Sequence, residues 1–121
     1  MSGQFAGAVV VPEEDALVGF FGTEPEHDEP EHDERTFVRF RVRDASGVGL
    51  VFSYDLIERS VQTIVEFDGR IVQRVSHECL TAISVDAEAL RAVCDSADVR
   101  TVVEIELRKG VSVCWSSLVV R

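Results

Sequence analysis

Two histidines stand inside a duplicated acidic pentapeptide. Glu24-Pro25-Glu26-His27-Asp28 is followed at once by Glu29-Pro30-Glu31-His32-Asp33, and Glu34 closes the run, so eleven residues carry seven carboxylates and two imidazoles. Imidazole beside carboxylate is ligand chemistry for a divalent cation. A dedicated site, however, fixes its ligands through a second layer of hydrogen bonds. His27 and His32 lie five residues apart in a stretch with no large apolar side chain to hold it to a core. The expectation is therefore no metal site and no cofactor, with at most incidental ion binding at His27 and His32. The other chemistry open to such a run is electrostatic. Glu24, Glu26, Asp28, Glu29, Glu31, Asp33 and Glu34 are candidate contact residues for a basic protein partner, set against a solvated loop with no role.

The remaining reactive side chains are dispersed. His77-Glu78-Cys79 brings three reactive types together. On a strand His77 and Glu78 face opposite sides, while His77 and Cys79 share a face without pointing at one another, so no nucleophilic pair is expected. Asp55, Glu58 and Asp68 show no spacing that singles out an acid–base pair. Gly47-Val48-Gly49 lacks the following helix of a phosphate-binding loop. Arg39, Arg41 and Arg43 alternate along one strand face. They suit an anion or an acidic peptide, but cross-strand pairing with outward carboxylates such as Glu104 and Glu106 is the favoured reading. Trp115 is expected in the core, opposite Glu104. Cys79, Cys94 and Cys114 match no zinc or redox spacing and read as small buried thiols. No enzyme is expected.

The frame that must hold these residues is mostly pleated. With 121 residues and 45% hydrophobic content, the chain has the size of a single domain, residues 1–121, able to bury a core without staples. Residues 5–11 and 16–21 read as a hairpin around Pro12 and the acidic turn Glu13-Glu14-Asp15. A flexible acidic loop follows at 23–35, where two prolines argue against a helix. Residues 36–43 and 48–54 alternate in polarity, as do 61–67 and 71–79. Asp68-Gly69 suits the type I′ turn between the latter pair, whose two central residues need positive φ. Residues 80–85 form a further strand. Asp86 resembles a helix N-cap, with Leu90, Val93, Cys94 and Ala97 at helical spacing, so the one short helix is predicted at about 87–95. Residues 100–108 and 111–120 close the chain as strands around Lys109-Gly110. The fold class is α+β: mainly antiparallel sheet built from consecutive hairpins, with one short helix.

The formal net charge of −10 works against nucleic acid and anionic membranes as partners, and favours basic proteins. Residues 1–4 carry no basic region and the apolar run 8–11 is too short for a signal core, so the expected location is cytoplasmic. The layout resembles that of small immunity proteins of bacterial polymorphic-toxin and contact-inhibition systems. Three segments in the first third of the chain carry the likeness: residues 9–20 with their acidic turn, the acidic insertion 24–34, and the arginine-bearing strand 37–43. The resemblance implies a non-enzymatic inhibitor that binds and blocks a toxin, and it transfers no functional residue. The acidity of the insertion itself points to a basic toxin face, with Glu26, Asp28, Glu31 and Asp33 as the expected contact carboxylates. The alternative is a structural β module that self-associates, as a homodimer for example, through the edge of its long apolar last strand at 111–120.

Overall fold

Two antiparallel meanders follow one helix. The helix α1 spans Glu14–Phe21. Strands β1 (Phe37–Arg43), β2 (Val48–Asp55), β3 (Ser60–Phe67) and β4 (Arg70–Glu78) pair in sequential order as one sheet. Strands β5 (Leu80–Val85), β6 (Leu90–Ser96), β7 (Val99–Glu106) and β8 (Ser112–Val119) pair in sequential order as the other. The computed structural model describes residues 8–27 and 36–120. The antiparallel architecture and, among the described residues, the single short helix agree with the sequence; the helix's position does not.

Alternation decides which side chains are buried. Val38 and Phe40 of β1, Leu50, Phe52 and Tyr54 of β2 and Val61 of β3 point to one side of the first sheet. Leu80 and Ile83 of β5, Leu90, Ala92 and Cys94 of β6 and Val103 and Ile105 of β7 point to one side of the second. All belong to one hydrophobic cluster, so the sheets face each other across a shared core. The indole of Trp115 ties them, its Nε1–H donating to Thr63 Oγ1 at 2.9 Å.

The predicted helix at 87–95 is strand β6. Leu90, Ala92 and Cys94 are all buried, a period of two, and pair with Ile105, Val103 and Thr101 of β7. Asp86 does cap backbone donors, as its residue type suggests. Its Oδ1 accepts from the amides of Glu88 (2.7 Å) and Ala89 (2.9 Å), but these belong to the β5–β6 turn. The same i+2 and i+3 bonds serve a turn as well as a helix start. With apolar residues at both spacings, pairing with β7 selected the strand.

The predicted hairpin at 5–21 is likewise corrected, since 14–21 is α1. Glu14 and Asp15 place negative charge in the first turn, where the helix dipole favours it. Gly22, in the left-handed region, donates its N–H back to Val18 O at 2.7 Å and ends the helix. Leu17 and Phe21, four residues apart, are its buried side chains. The Phe21 ring stacks on Phe40 (centroids 4.6 Å apart) and on Phe52 (5.6 Å).

Asp68 and Gly69 have φ of 55° and 75°, as the type I′ reading of the β3–β4 turn requires. Between β4 and β5 a single residue, Cys79, carries the chain from one sheet to the other with φ 66°. The corner is held by Leu80 N–H to Arg59 O and by Asp95 N–H to Cys79 O, each 3.0 Å.

A second tie between the sheets is electrostatic. Asp44, in the β1–β2 turn, accepts at Oδ1 from the Ser46 amide, the Ser46 hydroxyl and the Val48 amide, and at Oδ2 from the Val111 amide 67 residues away. Gly110 makes room for this, because a Cβ there would lie 3.1 Å from Asp44 Oδ2. The Ser46 hydroxyl first, then the Val111 and Val48 amides, hold the Asp44 carboxyl down at about 2. A depressed folded-state value means that the stabilisation is present above the ordinary value of 3.8 and is lost as pH falls towards 2. Asp44→Asn should therefore lower the urea midpoint at neutral pH and flatten its fall between pH 4 and 2, as read from denaturation midpoints across pH. A parallel acid limb in the two proteins would contradict it.

Candidate functional site

The first residues of the acidic insertion, up to His27, are held at the edge of the first sheet. Residue Glu26 forms an antiparallel bridge with Arg39: its N–H donates to Arg39 O at 2.7 Å, and Arg39 N–H donates to Glu26 O at 3.0 Å. The His27 ring donates through Nδ1 to Phe37 O at 3.1 Å. On the returning side Leu56 N–H donates to Thr36 O. His27 and Thr36, the residues on either side of 28–35, are therefore both held at the same end of β1.

The side chain of Glu26 completes this junction. Arg39 Nε donates to Oε1 at 2.9 Å, and Arg41 Nε reaches Oε1 at 3.1 Å and Oε2 at 3.0 Å. The hydrogen bond from Arg39, then that from Arg41, holds the Glu26 carboxyl below its usual range. The Glu26 side chain is 41% exposed, so the pair contributes little net stability; its effect is to fix where the segment begins. This corrects the expected partners of the arginine stripe. Glu104 and Glu106 lie on β7, in the other sheet, and Glu104 instead pairs with Arg91 at 2.7 Å.

Of the seven candidate contact carboxylates, Glu24 is exposed and Glu26 is committed to its own chain. Asp28, Glu29, Glu31, Asp33 and Glu34 lie outside the described residues, as does His32. Around the junction the β2–β3 turn adds charge. Asp55 Oδ1 accepts from the amides of Ile57 and Glu58, each 2.9 Å, which makes Asp55 a turn-former, and Ile57 in this turn is exposed. Across the outer face of the first sheet runs a trough of about 410 Å³, lined by Arg39, Arg41, Val51, Ser53, Gln62 and Ser76 among others.

Other candidates resolve as structure. The His77 ring stacks on Trp115, centroids 5.2 Å apart, and does not address Cys79. Burial pushes the Cys94 thiol up to about 11, which removes its thiolate at neutral pH. Cys94 is buried as expected, Cys79 is half-buried, and Cys114 is exposed on the outward face of β8, contrary to expectation. Trp115 is half-buried against the core and pairs with Val103, one residue from the predicted register; Glu104 faces Cys114. Among the described residues no group of three or more His, Cys, Asp or Glu side chains is placed to hold a metal ion. No helix among them is long and apolar enough to cross a membrane.

Sequence reasoning missed the exposed apolar residues Phe67, Ile71 and Val72 at the tip of the β3–β4 hairpin. Their signal was available, since two large apolar residues flank a turn too tight to bury them both.

No family model matches the chain, and no curated protein matches its sequence. Among solved structures, it is similar to a chain of the contact-dependent growth inhibition toxin–immunity protein complex from Klebsiella pneumoniae 342. The TM-score is 0.78 at 20% identity, covering 92% of this chain and 98% of that one. The layout read from the first third of the sequence thus meets a fold likeness that spans nearly all of it.

Proposed function

We propose that this chain is a non-enzymatic immunity protein, one unit over residues 1–121, that acts in the cytoplasm by occluding a toxin domain. The observation that carries the reading is the shared fold with a chain of a toxin–immunity complex. The charge supports the immunity side of such a pair. A net charge of −10 suits a protein that covers a basic face, the kind of face that engages nucleic acid or another anionic substrate. The carboxylates of 24–34 form the leading part of the contact, entering from a base fixed on β1 by Glu26, Arg39 and Arg41. Occlusion then needs no converging catalytic groups, only area and complementary charge.

Co-purification from the native host tests this. The expected partner is a basic domain that arrests growth when expressed alone and is neutralised when this chain is co-expressed. A partner whose toxicity is unchanged by the chain, or no partner besides the chain itself, would refute the reading.

A further inference from the structure

Each sheet has two edges, and three of the four carry some protection. The edge of β1 is bonded by residue Glu26, and that of β5 by Val10, whose N–H donates to Thr81 O while its carbonyl accepts from Ile83. The edge of β4 carries Arg70, Arg74 and Glu78 and lies beside a bulge at Val65/Glu66. Charges and bulges of this kind are how proteins keep edges from pairing. The fourth edge, β8, has neither. In a chain that is 28% charged, residues 111–120 contain no charged side chain and no proline. Among the described residues, no backbone hydrogen bond joins the outer edge of β8 to another segment. Its end leaves Leu118 and Val119 each 58% exposed, with Val120 and Val99 beside them also exposed.

We propose that β8 is the seam of a two-fold homodimer, in which two copies pair antiparallel through this strand and join their second sheets into one of eight strands. A second copy is the occupant because it brings an identical uncharged strand edge to pair with this one. Two bodies of net charge −10 repel wherever carboxylates meet, and β8 is an edge on which they can approach without opposing like charges.

Every residue-centred axis matches the faces, and setting exposed Leu118 and Val119 against apolar or thiol side chains selects the register. Residues directly opposite across an antiparallel pair share a face, and Trp115, opposite buried Val103, marks the inward row. With the axis at Ser116, Cys114 meets Leu118 of the second copy and Val113 meets its Val119. Trp115 meets its Ser117. Every copy of Leu118 and Val119 then gains an apolar or thiol neighbour, and Ser116 faces itself.

Sedimentation of the full chain tests this. The mass should climb with concentration from 13.4 kDa towards twice that value. It should climb further at high salt, because screening removes repulsion between the bodies and the seam itself is neutral. Ser116→Lys and Ser116→Glu each place like charges across the axis and should weaken association about fivefold or more. An equimolar mixture of the two variants should restore it. Val72→Lys, on β4, should change nothing. A monomer at every concentration overturns the proposal. So does association that survives in both Ser116 variants, or that disappears in Val72→Lys. The salt response separates this contact from toxin binding, which salt weakens, so either can fail alone.

Discussion

Truncating Phe40 to alanine should cost the fold about 3–5 kcal/mol. The side chain is fully buried and lies where three elements meet. Phe21 of α1 stacks on it at 4.6 Å, the same Phe21 ring stacks on Phe52 at 5.6 Å, and Phe52 is its cross-strand partner on β2. The ring packed on it is aromatic, and an apolar cavity stays empty, so its lining loses contact energy outright. Against a typical total of about 5–15 kcal/mol, the loss consumes a large part of the margin. Urea denaturation should show a markedly lower midpoint with an unchanged slope. Phe67→Ala, at an exposed ring of the same residue type, should move the midpoint far less. Similar shifts for the two variants would mean that the α1–β1–β2 aromatic cluster does not anchor the fold.

That cluster marks how far local reading reached. The hairpins β1–β2 and β3–β4 were legible because alternation and short turns, of four residues in the first and two in the second, are local signals, and each strand pairs with its neighbour in the chain. The elements 14–21 and 90–96 were exchanged, helix for strand. Each is short and apolar, and a short apolar run does not settle its own period. Contacts distant in sequence settled it: Phe40 and Phe52 for Leu17 and Phe21, and β7 for Leu90, Ala92 and Cys94. At the candidate site the arginine stripe was legible and its partner was not. Glu26 lies 13 residues from Arg39, and its choice over Glu104 depends on which sheet each strand joins, a fact absent from any single strand. The duplicated acidic motif also hid the role of Glu26, because its two copies look alike in sequence. Glu26 of the first copy faces its own chain, while its counterpart Glu31 lies outside the described residues.

Substitutions in the acidic insertion should have two separable effects. Replacing Asp28, Glu31 and Asp33 together by Asn, Gln and Asn should slow association with the proposed basic partner by about tenfold to a hundredfold at low salt. The loss should shrink as ionic strength rises, because exposed charges more than about 8 Å apart are largely screened at 0.15 M. Dissociation should change much less, since rim charges steer encounter more than they hold the complex. Glu26→Gln should behave differently. It removes one negative charge but also weakens the hydrogen bonds that fix the start of the segment against Arg39 and Arg41. Its effect should therefore appear in dissociation as well, because the base of the contact becomes less fixed and more ordering must be done on binding. Stopped-flow association across a salt series, with dissociation measured in parallel, distinguishes the two. Equal association rates for wild type and the triple variant at every salt concentration would remove the acidic insertion from recognition and leave occlusion to the body of the fold alone.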